Sequence, residues 1–245
     1  MADRPPVLFV VSCEHAGHRV PPAYRPLFRG ARATLESHRG WDPGAREVAV
    51  ELARRLGVVP ILHDVTRLLI EVNRSIGHVA LFSEFTRDLD VDVRDRLREA
   101  FYEPHRREVA AAIERGIARA GQVVHLGVHS FTPEWNGQPR NAELGLLYDP
   151  KRTRERRWCE QWQRRVRDRE PSLCVRRNYP YRGAADGLTT ALRRTYAPAR
   201  YLGLEIEINQ RTIRGTRAAR GTSARSPHHW AELLAETIPG TARRR

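Results

Sequence analysis

The sequence predicts a single α/β domain whose mixed, largely parallel sheet is flanked by helices. Three observations carry this. Val7-Leu8-Phe9-Val10-Val11 is apolar without alternation, as a strand covered on both faces must be. Two later runs read as further strands, Val123 to His129 ending in a histidine and Tyr201 to Asn209 carrying two carboxylates, and amphipathic segments of helical period separate such runs. The 245 residues, 40% of them hydrophobic, suffice for one core and show neither an internal repeat nor a dividing linker. One domain over residues 1–245 is therefore expected.

The elements follow in order. The first strand ends abruptly in Ser12-Cys13-Glu14-His15-Ala16-Gly17-His18, where small residues let the backbone turn. Pro21-Pro22 breaks any helix there. Asp42-Pro43-Gly44-Ala45 reads as a helix start, with Asp42 as N-cap and Pro43 in the first turn. That helix carries Val48, Leu52 and Leu56 at helical spacing and stops at Gly57. Val58 to Leu62 and Leu68 to Val72 read as short strands, the second ending in Asn73-Arg74. A long amphipathic helix is expected from about Asp92 to Ala120, split or kinked at Pro104. The strand to His129 comes next, then a polar loop from Ser130 to Asn141, then a strand from Leu144 to Tyr148. Thr153 to Arg169 reads as a helix with Trp158 and Trp162 on one core face. Asn178 to Gly187 is a loop, and Leu188 to Arg194 a short helix. After the strand to Asn209, Ser226 to Ile238 closes the chain as a helix capped by Ser226, with Pro239 to Arg245 fraying.

Composition narrows the function. Net charge is +14, and almost all the excess is arginine, Lys151 being the only lysine. The arginines are dispersed, with dense groups at Arg152 to Arg157 and at the C-terminus. That pattern fits a small anionic substrate or a solvated surface better than a nucleic-acid face, where aromatic and basic residues interleave. The tryptophans sit at core spacing instead. Cys13, Cys159 and Cys174 are odd in number with no CxxC pair, which argues against a disulfide framework or a thiolate zinc site. Cys13, just past a buried strand, reads as buried filler with a nucleophile as the rival. No apolar run approaches the ~18–20 residues of a membrane span, and no signal peptide is expected, so the protein is expected in the cytoplasm. Oligomeric state is not legible.

The chemistry lies at strand ends, where open α/β sheets place their sites. His15 and His129 each follow a buried run. Two histidines and one carboxylate, with a position left for water, make a catalytic zinc site. The competing reading makes both histidines hydrogen-bonded residues at the core edge. For the third ligand Glu14, Asp42 and His18 are all candidates, although neighbours on an extended chain point to opposite faces, which counts against Glu14. Glu205 and Glu207 share one strand face. Two carboxylates amid Leu and Ile are costly unless paired or liganded, so they read either as salt-bridged to arginine or as a general base beside a metal. Arg74 offers a planar fork for a carboxylate or a structural bridge to Glu71 or Glu84.

Six motifs occur in a fixed order: Ser12-Cys13-Glu14-His15-Ala16-Gly17, Trp41-Asp42-Pro43-Gly44-Ala45, Val72-Asn73-Arg74, Val128-His129-Ser130-Phe131-Thr132-Pro133, Gly145-Leu146-Leu147-Tyr148-Asp149 and Leu204-Glu205-Ile206-Glu207-Ile208-Asn209-Gln210. Together they resemble the N-formylglutamate amidohydrolase family, from Ser12 to about Ile213. The resemblance implies a fold similar to the zinc carboxypeptidases and hydrolysis of N-formyl-L-glutamate or another N-acyl amino acid by a bound Zn²⁺. It matches His15 and His129 to the histidine ligands, Asp42 to the acidic ligand and Glu207, rather than Glu205, to the catalytic base. Asn73 and Arg74 match the binders of the substrate carboxylate. Asn178 and Tyr181, with Gly183, resemble a loop that closes over substrate. Arg193-Arg194 stand where the family would place a histidine.

Overall fold

The computed structural model describes residues 7–213, 215–216, 219 and 224–240. Its strands, in chain order, are β1 (Leu8–Cys13), β2 (Ile61–Leu62), β3 (Val123–Phe131), β4 (Glu134–Trp135), β5 (Gln138–Pro139), β6 (Leu144–Leu147), β7 (Val175–Arg177) and β8 (Tyr201–Asn209). Six of them form one sheet in the order β2-β1-β3-β8-β6-β7, and β4 with β5 makes a separate hairpin. Within the sheet β6 and β8 run antiparallel and the other pairs parallel. The sheet is thus mixed and largely parallel, as the uninterrupted apolar runs require.

Alternation along the central strands divides the two faces. Phe9, Val11 and Cys13 of β1, Val124, Leu126 and Val128 of β3, and Leu202, Leu204, Ile206 and Ile208 of β8 point one way into the main core. That face is covered by α2 (Ala45–Leu56), α5 (Thr153–Arg169) and α7 (Pro227–Thr237). Of the two tryptophans expected on one core face, Trp162 is fully buried there, beside Trp230, and Trp158 is partly buried against the same core. Val10, Val123 and Tyr201 point the other way, under α4 (Glu103–Ala120) and α6 (Leu188–Thr195). Polar residues continue that second face towards the carboxyl ends of the strands, beginning with Ser12, His125, Glu205 and Glu207. The helices leave room for a site there.

Several expectations need correction. Asp42 is not an N-cap: Gly44, at φ 84°, precedes the first helical residue and no side chain caps it. The Asp42 carboxylate turns instead towards two histidines. Leu68 to Val72 is not a strand but a turn-rich segment. Its apolar side chains fill a third cluster with Phe28, Leu81 and Leu97, so their burial needs no strand partner. The helix around Pro104 is not broken at the proline. It runs continuously through α3 (Val91–Leu97), a π-helical turn (Arg98–Tyr102) and α4, and the irregular turn lies immediately before Pro104, whose missing N–H interrupts the regular ladder. Residues 241–245, where fraying and a terminal arginine group were expected, lie outside the described residues. No helix among the described residues is long and apolar enough to cross a membrane.

Candidate active site

The parallel register of β3 and β8 sets His129 directly beside Glu207, and Gly127 beside Glu205. Period-2 alternation then puts all four on one face. The turn after β1 brings His15 to the same end, and the bend before α2 brings Asp42. His15 Nδ1 lies 3.2 Å and His129 Nδ1 3.0 Å from the same oxygen, Asp42 Oδ2. The three side chains are buried and offer ligand atoms within 4.8 Å of one another. Of the candidates for a third ligand, Asp42 is the one gathered with both histidines. His18 instead stacks on Trp41 at 4.9 Å and lines a neighbouring cavity of about 630 Å³. Glu14 meets the far nitrogen of His129, its Oε2 lying 3.1 Å from Nε2. Glu71 does the same for His15, its Oε1 lying 2.7 Å from Nε2.

This donor set asks for a cation. A neutral imidazole has one N–H, yet each ring here has a carboxylate oxygen at both nitrogens. Without a cation, satisfying both nitrogens of a ring takes a second proton, on the imidazole or on a facing carboxyl. Burial opposes that, but Asp42 and Glu14 outweigh it and hold His129 well above the usual imidazole range. His15 is raised as well, by Glu71 and Asp42 against burial and Arg67. The two imidazoles in turn hold the Asp42 carboxyl down despite its burial. A divalent ion among the two Nδ1 atoms and Asp42 relieves the frustration. Each ring would then keep its proton on Nε2: that of His15 is hydrogen-bonded to Glu71, the carboxylate–imidazole–metal arrangement that fixes a ligand's tautomer, while that of His129 lies 3.1 Å from Glu14 without hydrogen-bond geometry. The residues present fit a metal ion, and nitrogen and oxygen donors in this ratio suit zinc.

Glu207 stands apart from this pairing. It is 5% exposed and its Oε2 has no hydrogen-bond partner among the described residues. Burial, reinforced by Asp42 and Glu205, lifts its carboxyl to about 8. Glu205 is satisfied differently: its Oε1 accepts from the Thr189 hydroxyl at 2.6 Å. One carboxylate of the pair is therefore anchored to α6 and the other left open. Neither is bridged to an arginine.

The remaining expected residues lie in two segments that touch, 73–75 and the loop 178–187 with the start of α6. Asn73 Oδ1 accepts from Leu188 N at 2.7 Å and caps α6, while its own N–H donates to Glu71 Oε1 at 2.9 Å. Arg74 donates to the Asp186 carbonyl. Glu71 and Glu84, its suggested partners, pair with Arg67 and Arg39 instead. Asn178, at φ 50°, accepts from Tyr148 N and Gly183 N, so its acceptor holds the loop together. Tyr181 is 44% exposed, and its hydroxyl, raised by burial and then by Glu207, accepts from Arg140 at 3.2 Å. Cys13 is fully buried, and burial with Glu14 pushes its thiol well up, which leaves it as filler. Arg193, in place of the family's histidine, is buried against Glu155 and donates to the Gly203 carbonyl at 2.7 Å.

Sequence reasoning missed Glu71, Arg67 and Arg140. Glu71 was hidden by the strand assigned to Leu68–Val72. Arg67 and Arg140 stand in irregular segments whose spacing carries no signal.

Comparisons with known proteins show the family to which the chain belongs. A family model described as N-formylglutamate amidohydrolase matches residues 7–214. The solved structure of gene product Atu2144 from Agrobacterium tumefaciens is similar with a TM-score of 0.73 at 30% identity, covering 96% of this chain and 91% of that one. The N-formylglutamate amidohydrolase from Ralstonia eutropha JMP134 gives a TM-score of 0.70 at 20% identity over 94% and 92% of the two chains, a likeness of fold. No curated protein matches the chain.

Proposed function

Because the chain belongs to the N-formylglutamate amidohydrolase family, we propose that it hydrolyses the amide bond of an N-acyl amino acid, N-formyl-L-glutamate or a close analogue. Water and the amide give a carboxylic acid, formate in that case, and the free amino acid. The single observation behind the reading is the register of β3 and β8, which sets an unpartnered buried carboxylate beside a histidine of the His15, Asp42, His129 cluster.

His15, Asp42 and His129 would hold a zinc ion. Bound there, zinc supplies Lewis acidity that polarises an amide carbonyl and makes water acidic near neutrality. The other roles fall to the chain's own residues. Glu207 takes a proton from the attacking water at Oε2 and returns it to the departing nitrogen. A carboxyl lifted to about 8 is suited to both transfers near neutral pH. Arg74, with Asn73, holds the substrate α-carboxylate and orients the amide, which turns binding energy into alignment. Tyr181 and the loop anchored by Asn178 cover the bound substrate.

Metal content and hydrolysis of N-formyl-L-glutamate, with and without a chelator, test the proposal together. The expected result is a bound transition metal and activity that the chelator abolishes and added zinc restores. Full activity in metal-free protein would overturn it. A panel of N-acyl amino acids separates N-formyl-L-glutamate from analogues that the same site would hydrolyse.

A further inference from the structure

Three arginines surround the site, and they are not equivalent. Arg67 is committed: its Nε donates to Glu71 Oε2 at 2.6 Å and its Nη1 lies 3.5 Å from Asp42 Oδ1. Arg74 and Arg140 have no carboxylate partner among the described residues. They hold opposite ends of one loop, Arg74 at the Asp186 carbonyl and Arg140 at the Tyr181 hydroxyl.

Arg140 is fixed with unusual care for a loop residue. Its backbone N–H donates to the Pro133 carbonyl at 2.7 Å, just beyond the strand that carries His129. Its carbonyl accepts from Asn209 Nδ2 at 3.0 Å, two residues beyond Glu207. The ends of β3 and β8 thus clamp Arg140 from both sides and tie its position to the two strands that build the site. Its guanidinium carbon lies 5.1 Å from the Trp135 ring, 5.2 Å from Tyr181 and 5.8 Å from Phe131. Three aromatic faces hold the planar fork in one orientation without neutralising it. Nη1 reaches Tyr181 and Thr132, while Nε and Nη2 have no partner among the described residues. Trp135 is 49% exposed and its ring lies 5.9 Å from that of His38, which lines the neighbouring cavity, so this is accessible surface and not core packing.

We propose that Arg140 is the specificity-determining residue of this site, binding a second carboxylate at the side-chain end of an N-acyl amino acid. The inference rests on the reaction proposed above and adds the residue that reads the substrate side chain: Arg74 would hold the α-carboxylate and Arg140 the second one. A charge-assisted fork on a caged guanidinium distinguishes a carboxylate from the isosteric carboxamide, because the carboxamide presents an amino group to a cation.

Calorimetric titration of the full-length protein with L-glutamate and L-glutamine tests the residue without requiring turnover. Wild-type protein is expected to favour glutamate, Arg140→Gln to lose roughly 10- to 100-fold of that preference, and Arg140→Lys to recover part of it. Equal binding of the two, binding of neither, or a preference that survives Arg140→Gln overturns the inference. Rates on N-formyl-L-glutamate and N-formyl-L-glutamine are measured in parallel. The fall in kcat/KM in Arg140→Gln is expected to be about tenfold or more larger on the glutamate compound and to lie in KM. Equal falls on both compounds also overturn the inference. Failure of wild-type protein to hydrolyse either compound refutes the reaction itself, and calorimetry still decides Arg140.

Discussion

Two carboxylates two residues apart differ here only in what they touch. Glu205 gives an oxygen to Thr189, whereas Glu207 Oε2 is buried without a partner. Glu207→Gln is expected to keep its metal and lose roughly 10²- to 10⁴-fold in kcat, the usual worth of a positioned base. Glu205→Gln should stay near wild-type turnover. The reverse outcome, read from metal analysis and steady-state rates, would move the base by one strand repeat. Beneath the site, His125 is fully buried between Ser12 Oγ at 2.8 Å and the Tyr201 hydroxyl at 2.9 Å. Burial, with the repulsion of His105 and Arg193, lowers it from its ordinary 6.5 to about 4. The folded state therefore keeps it neutral where the unfolded chain protonates it. Its contribution is fully present above pH 6.5 and is lost as pH falls towards 4, on the order of 3 kcal/mol in all. Urea unfolding across that window should show a shallower decline in His125→Gln than in the wild type.

At the scale of elements, β6 shows how tightly the site is framed. A Cβ on Gly145 would overlap the Tyr179 carbonyl and lie 3.2 Å from Glu207 Cβ. Gly145→Ala is expected to cost about 1–3 kcal/mol through overpacking and to depress turnover by shifting Glu207. Gly57→Ala meets open space and loses only about 1–2 kcal/mol from its φ of 69°; chemical denaturation and rates separate the two. The long regular elements were legible in the sequence for clear reasons. The last sheet strand, Tyr201–Asn209, and the Thr153–Arg169 helix have the expected bounds because their periodicity is unbroken over many residues. The Ser226 cap also forms, its Oγ accepting from His229 N at 3.1 Å. Short elements were not legible. Val175–Arg177 pairs in the sheet although two of its three residues are arginine. The Asn136-Gly137 turn of the small hairpin carried a recognised signal, but the surrounding polar residues masked it. His15, Asp42, His129 and Glu207 were visible as strand-end or turn residues. Their partners were not, because which carboxylate meets which imidazole depends on tertiary packing.

Over the whole molecule, the cluster buries three carboxylates for one fixed cation, a deficit that a divalent ion would fill while both imidazoles stay neutral. Glu14, Asp42 and Glu71 are buried around two imidazoles with Arg67 as the nearby fixed cation. An ion that binds the folded but not the unfolded chain stabilises it in proportion to RT ln(1 + [L]/Kd), about 2.7 kcal/mol at a hundredfold excess over Kd. Zinc is thus expected to raise the melting temperature of chelator-treated protein by several degrees, a shift that differential scanning calorimetry would record. Asp42→Asn should largely abolish the increment, and an unchanged increment in that variant would remove Asp42 from the ligand set.

One Asp42 oxygen serves imidazoles 27 residues before it and 87 residues after it. During synthesis His15 and Asp42 leave the ribosome long before His129, and the segment carrying Glu207 emerges later still. A nascent chain can offer an ion nothing tighter than an incomplete, solvent-washed pair. Were an ion to bind here, its acquisition would be a late event in the biogenesis of this protein, postponed until His129 has emerged.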